Sequence, residues 1–351
     1  ANASSSYSSD MLNFLWITFL AVLSMDIFFT PAALEEFQTN HLLLPGESDP
    51  SLRSLPRCQA AEPGLNYRPV IGIVSHPGDG ASGRLSNATN ASYIAASYVK
   101  FVESAGARVI PLIYNEPPEK LNLVNGVIFT GGSVKTGPYF DIVESVFKTI
   151  LQRNEAGDHF PLLAICLGFE LLTMIVSEDN EILENFSAVD QVSALQFVDN
   201  SNVNGTVFQR FPPDLLHKLS TDCLVMQNHR YGISPDKLQN NEKLNDFFTT
   251  LTTTADEDGK VYVSTAQAHR FPVTAVQWHP EKNAFEWGSS RIPHSDDAVR
   301  VTQHVANFFV REARLSKIRP QSKEVLDNLI YNYSPAYSGK AGSGFDEVYI
   351  F

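Results

Sequence analysis

The sequence predicts an α/β domain with a mostly parallel central sheet and helices on both faces. Three observations predict it. Short, wholly apolar runs recur, "RPVIGIVSH", "ARVIPLI", "NGVIFTGG" and "PLLAI", as strands covered on both faces require. Between them lie segments whose apolar residues repeat at three- and four-residue spacings, the period of a helix packed on one side. The two kinds alternate, so that each strand is reached through a crossover connection and pairs parallel.

Taken in order, regular structure begins near Arg68, after a turn-rich approach containing Pro56, Pro63 and Pro69. The strand "RPVIGIVSH" leads into the glycine-rich loop "HPGDGASGR". Ala91 to Gly106 reads as one helix, with Ile94, Tyr98, Phe101 and Val102 inward and Gly106 as its stop. A second and a third strand follow. "PYFDIVESVFKTILQRN" then reads as an amphipathic helix with Ile142, Val146, Ile150 and Leu151 inward, and "PLLAI" is the fourth strand. From about Val192 the texture becomes β-like: "ALQFV", "TVFQRF", "CLVMQ", "FFTTLTTTAD", "KVYVSTAQ" and "TAVQWHP". "SDDAVRVTQHVANFFVREARLSK" is a long helix with Val299, Val305 and Phe309 inward. The tail from Pro320, rich in Tyr, Ser and Gly, carries no clear element. No linker interrupts the chain after Arg68, so it reads as one domain.

Composition narrows the function. At 351 residues the chain can bury a large core. Its formal net charge of −13 excludes a general nucleic-acid binder, which needs a basic excess. Residues 1–60 differ from the rest and read as a leader and propeptide-like segment. Met11 to Met25, "MLNFLWITFLAVLSM", resembles the apolar core of a secretory signal, with Ala32 and Ala33 near a cleavage point. A membrane anchor is the alternative, because Leu12 to Thr30 approaches spanning length. Asp26 interrupts that run, however, and no basic flank follows it. The sequons at Asn87, Asn90, Asn185 and Asn204 permit N-glycosylation, whereas Pro335 makes Asn332 a poor acceptor. Leader and sequons together imply the secretory pathway, ending in a vacuole or the extracellular space. Of three cysteines one is left over in an oxidising compartment. If Cys58 pairs with Cys223, Cys166 is the free thiol; otherwise all three are reduced.

Cys166 stands between an apolar strand and an apolar helix, in Ala164-Ile165-Cys166-Leu167-Gly168. A nucleophile at such a turn projects above the carboxyl edge of the sheet, and small residues two positions away on either side relieve crowding. The helix N-terminus lowers a thiol pKa, and the Leu167 N–H points toward the same place. The bland alternative is a packed core cysteine. Two further motifs weigh against it. His279-Pro280-Glu281 ends a strand 113 residues downstream, where the histidine can serve as base and Glu281 can fix its tautomer. Thr130 to Ser133, "TGGS", ends the third strand, and its glycines let backbone N–H groups approach a developing oxyanion.

In that order the three motifs resemble the class I glutamine amidotransferases, and so imply a flavodoxin-like fold of that type. More closely, the chain resembles the γ-glutamyl hydrolases, cysteine peptidases unrelated to papain, and their plant members in particular. The likeness rests on "RPVIGI", "ASYIAASYVKFVESAGARVIPL", "NGVIFTGGS", "ICLGFELL", "QNHRYGIS", "FPVTAVQWHPEKNAFEW" and "YNYSPAYSG", and the domain it marks spans residues 66–351. The resemblance implies Cys166 as nucleophile, His279 as general base then acid, and Glu281 as its orienting partner. The N–H groups of Gly132 and Leu167 would form the oxyanion hole. His229 and Glu170 are candidate substrate contacts, as is Gly131; the plain alternatives are a surface histidine and a solvated helix residue.

The implied reaction is hydrolysis of γ-glutamyl amides in folyl- and antifolyl-polyglutamates through a thioester, without a cofactor. No metal is implied, since His279 and Glu281 lack a third ligand at metal-site spacing. Arg230, Lys135 and Arg84 are candidates to hold substrate carboxylates. Family members form homodimers, so a homodimer is expected here, with no stable membrane span after signal cleavage. Two other readings compete. A glutaminase feeding ammonia to a synthetase would use the same three residues, but the roughly 70 residues after Glu281 are too few for a synthetase domain. A non-catalytic binding or storage relative would have no need of Cys166, His279 and Glu281 together.

Overall fold

The structure, a computed structural model, describes residues 62–198, 203–339 and 344–351; the apolar leader and Cys58 lie outside them. Strands β1 (Val70–Val74), β2 (His76–Pro77) and β3 (Ser92–Ala95) precede helix α1 (Ala96–Ser104). Strands and helices then alternate through β4 (Arg108–Leu112), β5 (Gly126–Phe129), α2 (Pro138–Glu155), β6 (Leu162–Ile165) and α3 (Leu167–Ser177). The second half holds β7 (Glu184–Ser193), β8 (Gln196–Phe197), α4 (Pro213–Thr221), β9 (Val225–Gly232), α5 (Pro235–Asn240) and α6 (Glu242–Phe247). After it come β10 (Phe248–Ala255), β11 (Val261–Ala268), β12 (Val273–Val276), α7 (Lys282–Phe285) and α8 (Asp296–Arg314). α9 (Ser322–Asn328), β13 (Ala336–Tyr337) and β14 (Glu347–Ile350) close the chain.

Eight strands form the central sheet in the order β4-β1-β5-β6-β12-β11-β10-β8. The first five are parallel, and the last three extend the sheet antiparallel. Counted among themselves, the parallel strands run 2-1-3-4-5, the flavodoxin-like order. Alternation along each strand splits the core in two. Val70, Val127, Phe129, Leu162 and Ala164 meet Val143, Phe147 and Ile150 of α2 and Leu171 and Leu172 of α3. Ile71, Ile73, Ile128, Leu163 and Ile165 meet Tyr98 and Phe101 of α1 and Val301, Val305 and Phe309 of α8. Both faces are therefore dry, and the strands read as apolar throughout.

Several sequence expectations shift. Ala91 to Gly106 is not one helix: Ser92–Ala95 is a strand, because the chain end returns as β14 to pair with it, Val348 against Ala95 and Ile350 against Tyr93. That pairing also gives the tail its place, in a four-stranded sheet of order β13-β14-β3-β2. α1 does stop where glycine was read as the stop. Gly106, at φ +84°, turns the chain so that the Ala107 N–H reaches the Val102 carbonyl, 3.2 Å away. On α2 the buried stripe is Tyr139, Val143, Val146, Phe147 and Ile150, with Ile142 and Leu151 at its margin. On α8, Ala298 is buried and Val299 half-buried. "TVFQRF" makes turns instead of a strand: it forms no strand pairing, and Phe208 and Phe211 are spent on the core next to Leu215. "ALQFV" contributes only the two residues of β8.

The glycine-rich loop after β2 is organised around Asp79. Its carboxylate accepts the N–H groups of Ala81 and Gly83 on one oxygen and of Leu85 and Ser86 on the other, at 2.8–3.0 Å. Burial opposes the charge, but these four donors hold the Asp79 carboxyl below the usual carboxylate range.

Candidate active site

β5, β6 and β12 lie side by side in parallel register, Phe129 opposite Ala164 and Val276 opposite Ile165. Their carboxyl ends therefore deliver "TGGS", Cys166 and His279 to one edge of the sheet. This is the crevice where open α/β sheets bind ligands.

Cys166 occupies the turn between β6 and α3 with φ +51° and ψ −105°. A β-carbon there is strained by about 1–3 kcal/mol, a cost borne by the surrounding hydrogen bonds. Its N–H donates to the Val276 carbonyl at 2.8 Å, and its carbonyl accepts from the Glu170 N–H at 3.0 Å. Gly168 explains the small residue after the nucleophile: a methyl group there would stand 2.7 Å from the Phe129 carbonyl oxygen. Glycine lets α3 lie directly against β5.

His279 lies three residues past β12, held by the bond from its N–H to the Met226 carbonyl, 2.9 Å. Its Nδ1–H donates to Glu281 Oε1 at 2.7 Å, because a carboxylate can only accept; this leaves Nε2 as the basic nitrogen. Nε2 is buried and has no hydrogen-bond partner among the described residues. A methyl group placed on Gly131 would lie 2.9 Å from His279 Cε1 and 3.5 Å from Cys166 Cβ, so imidazole and thiol flank the same glycine. The Cys166 Sγ is turned toward the Asn228 carbonyl, 3.8 Å away.

The electrostatics revise one expectation. Burial pushes the Cys166 thiol up, and the Glu170 and Glu281 carboxylates add to the effect; the Leu167 N–H opposes them. The helix N-terminus does not prevail over burial. Burial likewise lowers His279, with Glu281 opposing. Burial thus favours the neutral form of both the thiol and the imidazole.

The other candidates separate clearly. Leu167 is the first residue of α3, and its N–H faces the sulfur. Gly132 lies in the loop after β5, against His76. The Gly131 N–H is already committed to the Tyr98 hydroxyl, 2.9 Å, and is not open to a ligand. Glu170 is not a solvated helix residue. It is 3% exposed, pairs with Lys135 Nζ at 2.8 Å, and is pushed up to about 7 by burial against the opposing lysine. Lys135, bound to Glu170 of the elbow helix, lies 4.5 Å above the Tyr231 ring.

His229 is buried on β9, with Nδ1–H donating to the Tyr231 carbonyl at 2.9 Å and Nε2 without a hydrogen-bond partner among the described residues. Burial lowers it to about 3, and His279 adds to the effect, so the two imidazoles share one region. Arg230 is exposed, and strand alternation puts it on the other face of β9 from His229. Arg84 is exposed in the Asp79 loop. Cys166 and Cys223 carry free thiols, the first buried and the second exposed. No group of three or more metal-ligating side chains occurs among the described residues.

Sequence reasoning missed Tyr98 as a site residue. Its position on a core stripe was legible, but its hydroxyl, bonded to Gly131 and beside Glu281 and Cys166, was not. His76, which opens β2, carries no sequence signal for a role.

A strained thiol served by an oriented imidazole at this edge defines a cysteine-type hydrolase. The model of the peptidase C26 family matches residues 69–281, and the chain belongs to that family. It is 60% identical over 345 residues to gamma-glutamyl hydrolase 2 of Arabidopsis thaliana, covering 97% of this chain and 98% of that protein. Against gamma-glutamyl hydrolase of Glycine max the identity is 58%, over 89% of this chain and 92% of that protein. Against gamma-glutamyl hydrolase of Homo sapiens it is 36%, over 81% and 90%.

Proposed function

We propose that the protein hydrolyses the γ-glutamyl amide bonds of folyl- and antifolyl-poly-γ-glutamates. The observation that carries this reading is Cys166 on its elbow, flanked by "TGGS" and by the His279–Glu281 pair, in a chain so similar to gamma-glutamyl hydrolases. His279 Nε2 takes the thiol proton as Sγ adds to the γ-carbonyl carbon. The oxyanion that forms is met by the N–H groups of Leu167 and Gly132; one such donor is worth about 3 kcal/mol. His279 then gives its proton to the leaving nitrogen as the C–N bond breaks, leaving a γ-glutamyl thioester. Water, deprotonated by the same nitrogen, attacks the thioester, and the thiol is restored with release of the γ-carboxylate.

The same proposal extends to location and assembly. A secretory route ending in a vacuole or outside the cell is supported by the sequons, since Asn87, Asn90, Asn185 and Asn204 are all exposed. A homodimer follows from the family resemblance, and light scattering of the purified protein tests it.

The test of the activity is hydrolysis of pteroyl-pentaglutamate by wild type and Cys166→Ala, with products separated by chromatography. Turnover by wild type and a loss of at least about 10⁴-fold in the variant is expected. Retained turnover in the variant would refute the thiol mechanism. Ammonia release from glutamine by a wild type that leaves the pentaglutamate intact would favour a glutaminase instead.

A further inference from the structure

His76 belongs to none of the catalytic roles above, yet it is the side chain most closely engaged with the backbone that supplies Gly132. It opens β2, two residues past the carboxyl end of β1, the strand beside β5, and only 4% of its surface is exposed. Its Nδ1–H donates to the Pro77 carbonyl at 2.8 Å, so Nε2 carries a lone pair. That lone pair faces two donors, the N–H groups of Ser133 at 3.1 Å and Val134 at 3.3 Å. The ring is wedged edge-on between Tyr93 and Tyr139, with centroids 5.4 and 5.2 Å away. Gly132 lies flat against it: a β-carbon there would fall 2.2 Å from His76 Cδ2, so no other residue fits beside the imidazole.

We infer that His76 is a positioning residue, an acceptor clamp that gathers the N–H groups of Ser133 and Val134 and thereby aims the Gly132 N–H at the oxyanion. Left alone, the consecutive amides after a strand end could swing by a peptide flip, and the hole would open. With Ser133 and Val134 tied to a ring that two tyrosines hold still, the peptide before Ser133 is fixed as well. The clamp needs a neutral imidazole, because a protonated one would present N–H to N–H. Burial supplies this by lowering His76 to about 4, against the Pro77 hydrogen bond. The Gly131 N–H is fixed separately by Tyr98, so the Gly131–Gly132 peptide, which carries the Gly132 N–H, is flanked by a held amide on each side.

This inference rests on the thiol-hydrolase reading, and its test separates the two. Wild type, H76F and H76Q are assayed side by side on pteroyl-pentaglutamate and on γ-glutamyl-p-nitroanilide. H76F keeps a ring without an acceptor and should lose about tenfold or more in kcat, with KM within about threefold and the thermal midpoint little changed. H76Q places an amide oxygen near the position of Nε2 and should recover most of the rate. Should H76F not fold, H76N, whose amide is one carbon too short, gives the same contrast with H76Q. Equal kcat for H76Q and the variant lacking the acceptor, or a loss confined to KM and stability, would overturn the inference. Wild-type turnover of the anilide alone would overturn the folate reading and leave the clamp to be judged on that substrate. A wild type that cleaves neither would overturn both.

Discussion

Between β4 and β12 the central sheet is parallel, and between β12 and β8 it is antiparallel; the two halves bury different side chains. The parallel strands are almost wholly apolar on both faces, Arg108 at the start of β4 and Thr274 in β12 excepted, and the polar groups of the site lie beyond their carboxyl ends. The antiparallel strands bury hydroxyls within their length. Thr252 donates to Thr265 at 2.8 Å, Thr254 and Ser264 lie 2.7 Å apart, and the Trp278 indole N–H donates to Thr265 at 3.0 Å. Parallel strands all finish at one edge, so groups far apart in sequence converge there. Antiparallel strands finish at alternate edges and cannot gather a site in this way. They supply instead a satisfied polar network that seats Trp278, the residue before His279.

Breaking each half should therefore register in a different measurement. The largest effect is expected from Glu281→Gln, which replaces the acceptor that fixes His279 as the Nδ1–H tautomer. Steady-state hydrolysis should show kcat down by about 10³- to 10⁴-fold, the scale for losing an orienting carboxylate. A loss under about tenfold would mean that Glu281 does not orient the base.

Next in size is the pH response of the thiol. Because burial and two carboxylates raise Cys166, its thiolate form grows only toward alkaline pH. Alkylation of Cys166 by iodoacetamide, read by mass spectrometry, should climb about tenfold per pH unit through neutrality and on above pH 9 or so. A plateau between about pH 5 and 8 would signal a thiolate–imidazolium pair and refute the neutral resting state.

The smallest change belongs to the antiparallel half. Thr265→Val strips the partner from the Trp278 N–H and from the Thr252 hydroxyl in a dry setting, at about 1–3 kcal/mol. Thermal unfolding should show it plainly while kcat stays within about threefold. A collapse of kcat with stability intact would erase the contrast drawn between the halves.

How much of this was legible depends on the range of the interaction. Cys166 with Gly168 could be read locally, because a sharp strand-to-helix turn and close helix packing each demand particular neighbours within two residues. His279 with Glu281 could be read for the same reason, since a carboxylate two residues on can reach Nδ1. "TGGS" showed that backbone would approach something, but not that Gly131 faces Tyr98 while Gly132 faces His76. The surroundings of Glu170 are not legible from its helix alone: the elbow turns that face inward, and Lys135, 35 residues earlier, arrives from the loop after β5 to pair with it. Residues 92–95 carry a helical spacing and become a strand because β14, some 250 residues on, offers its edge.

Strand apolarity, turn strain and short-range hydrogen bonding are local, so neighbouring residues already carry the alternating parallel architecture, the elbow at Cys166 and the pairing of His279 with Glu281. The assembled fold alone sets the burial of the thiol, the pairing of Glu170 with Lys135, the engagement of His76 with the loop after β5, and the place of the tail. Each of these depends on burial, or on partners brought together by the sheet from distant parts of the chain, and neither is written in the spacing of neighbouring residues.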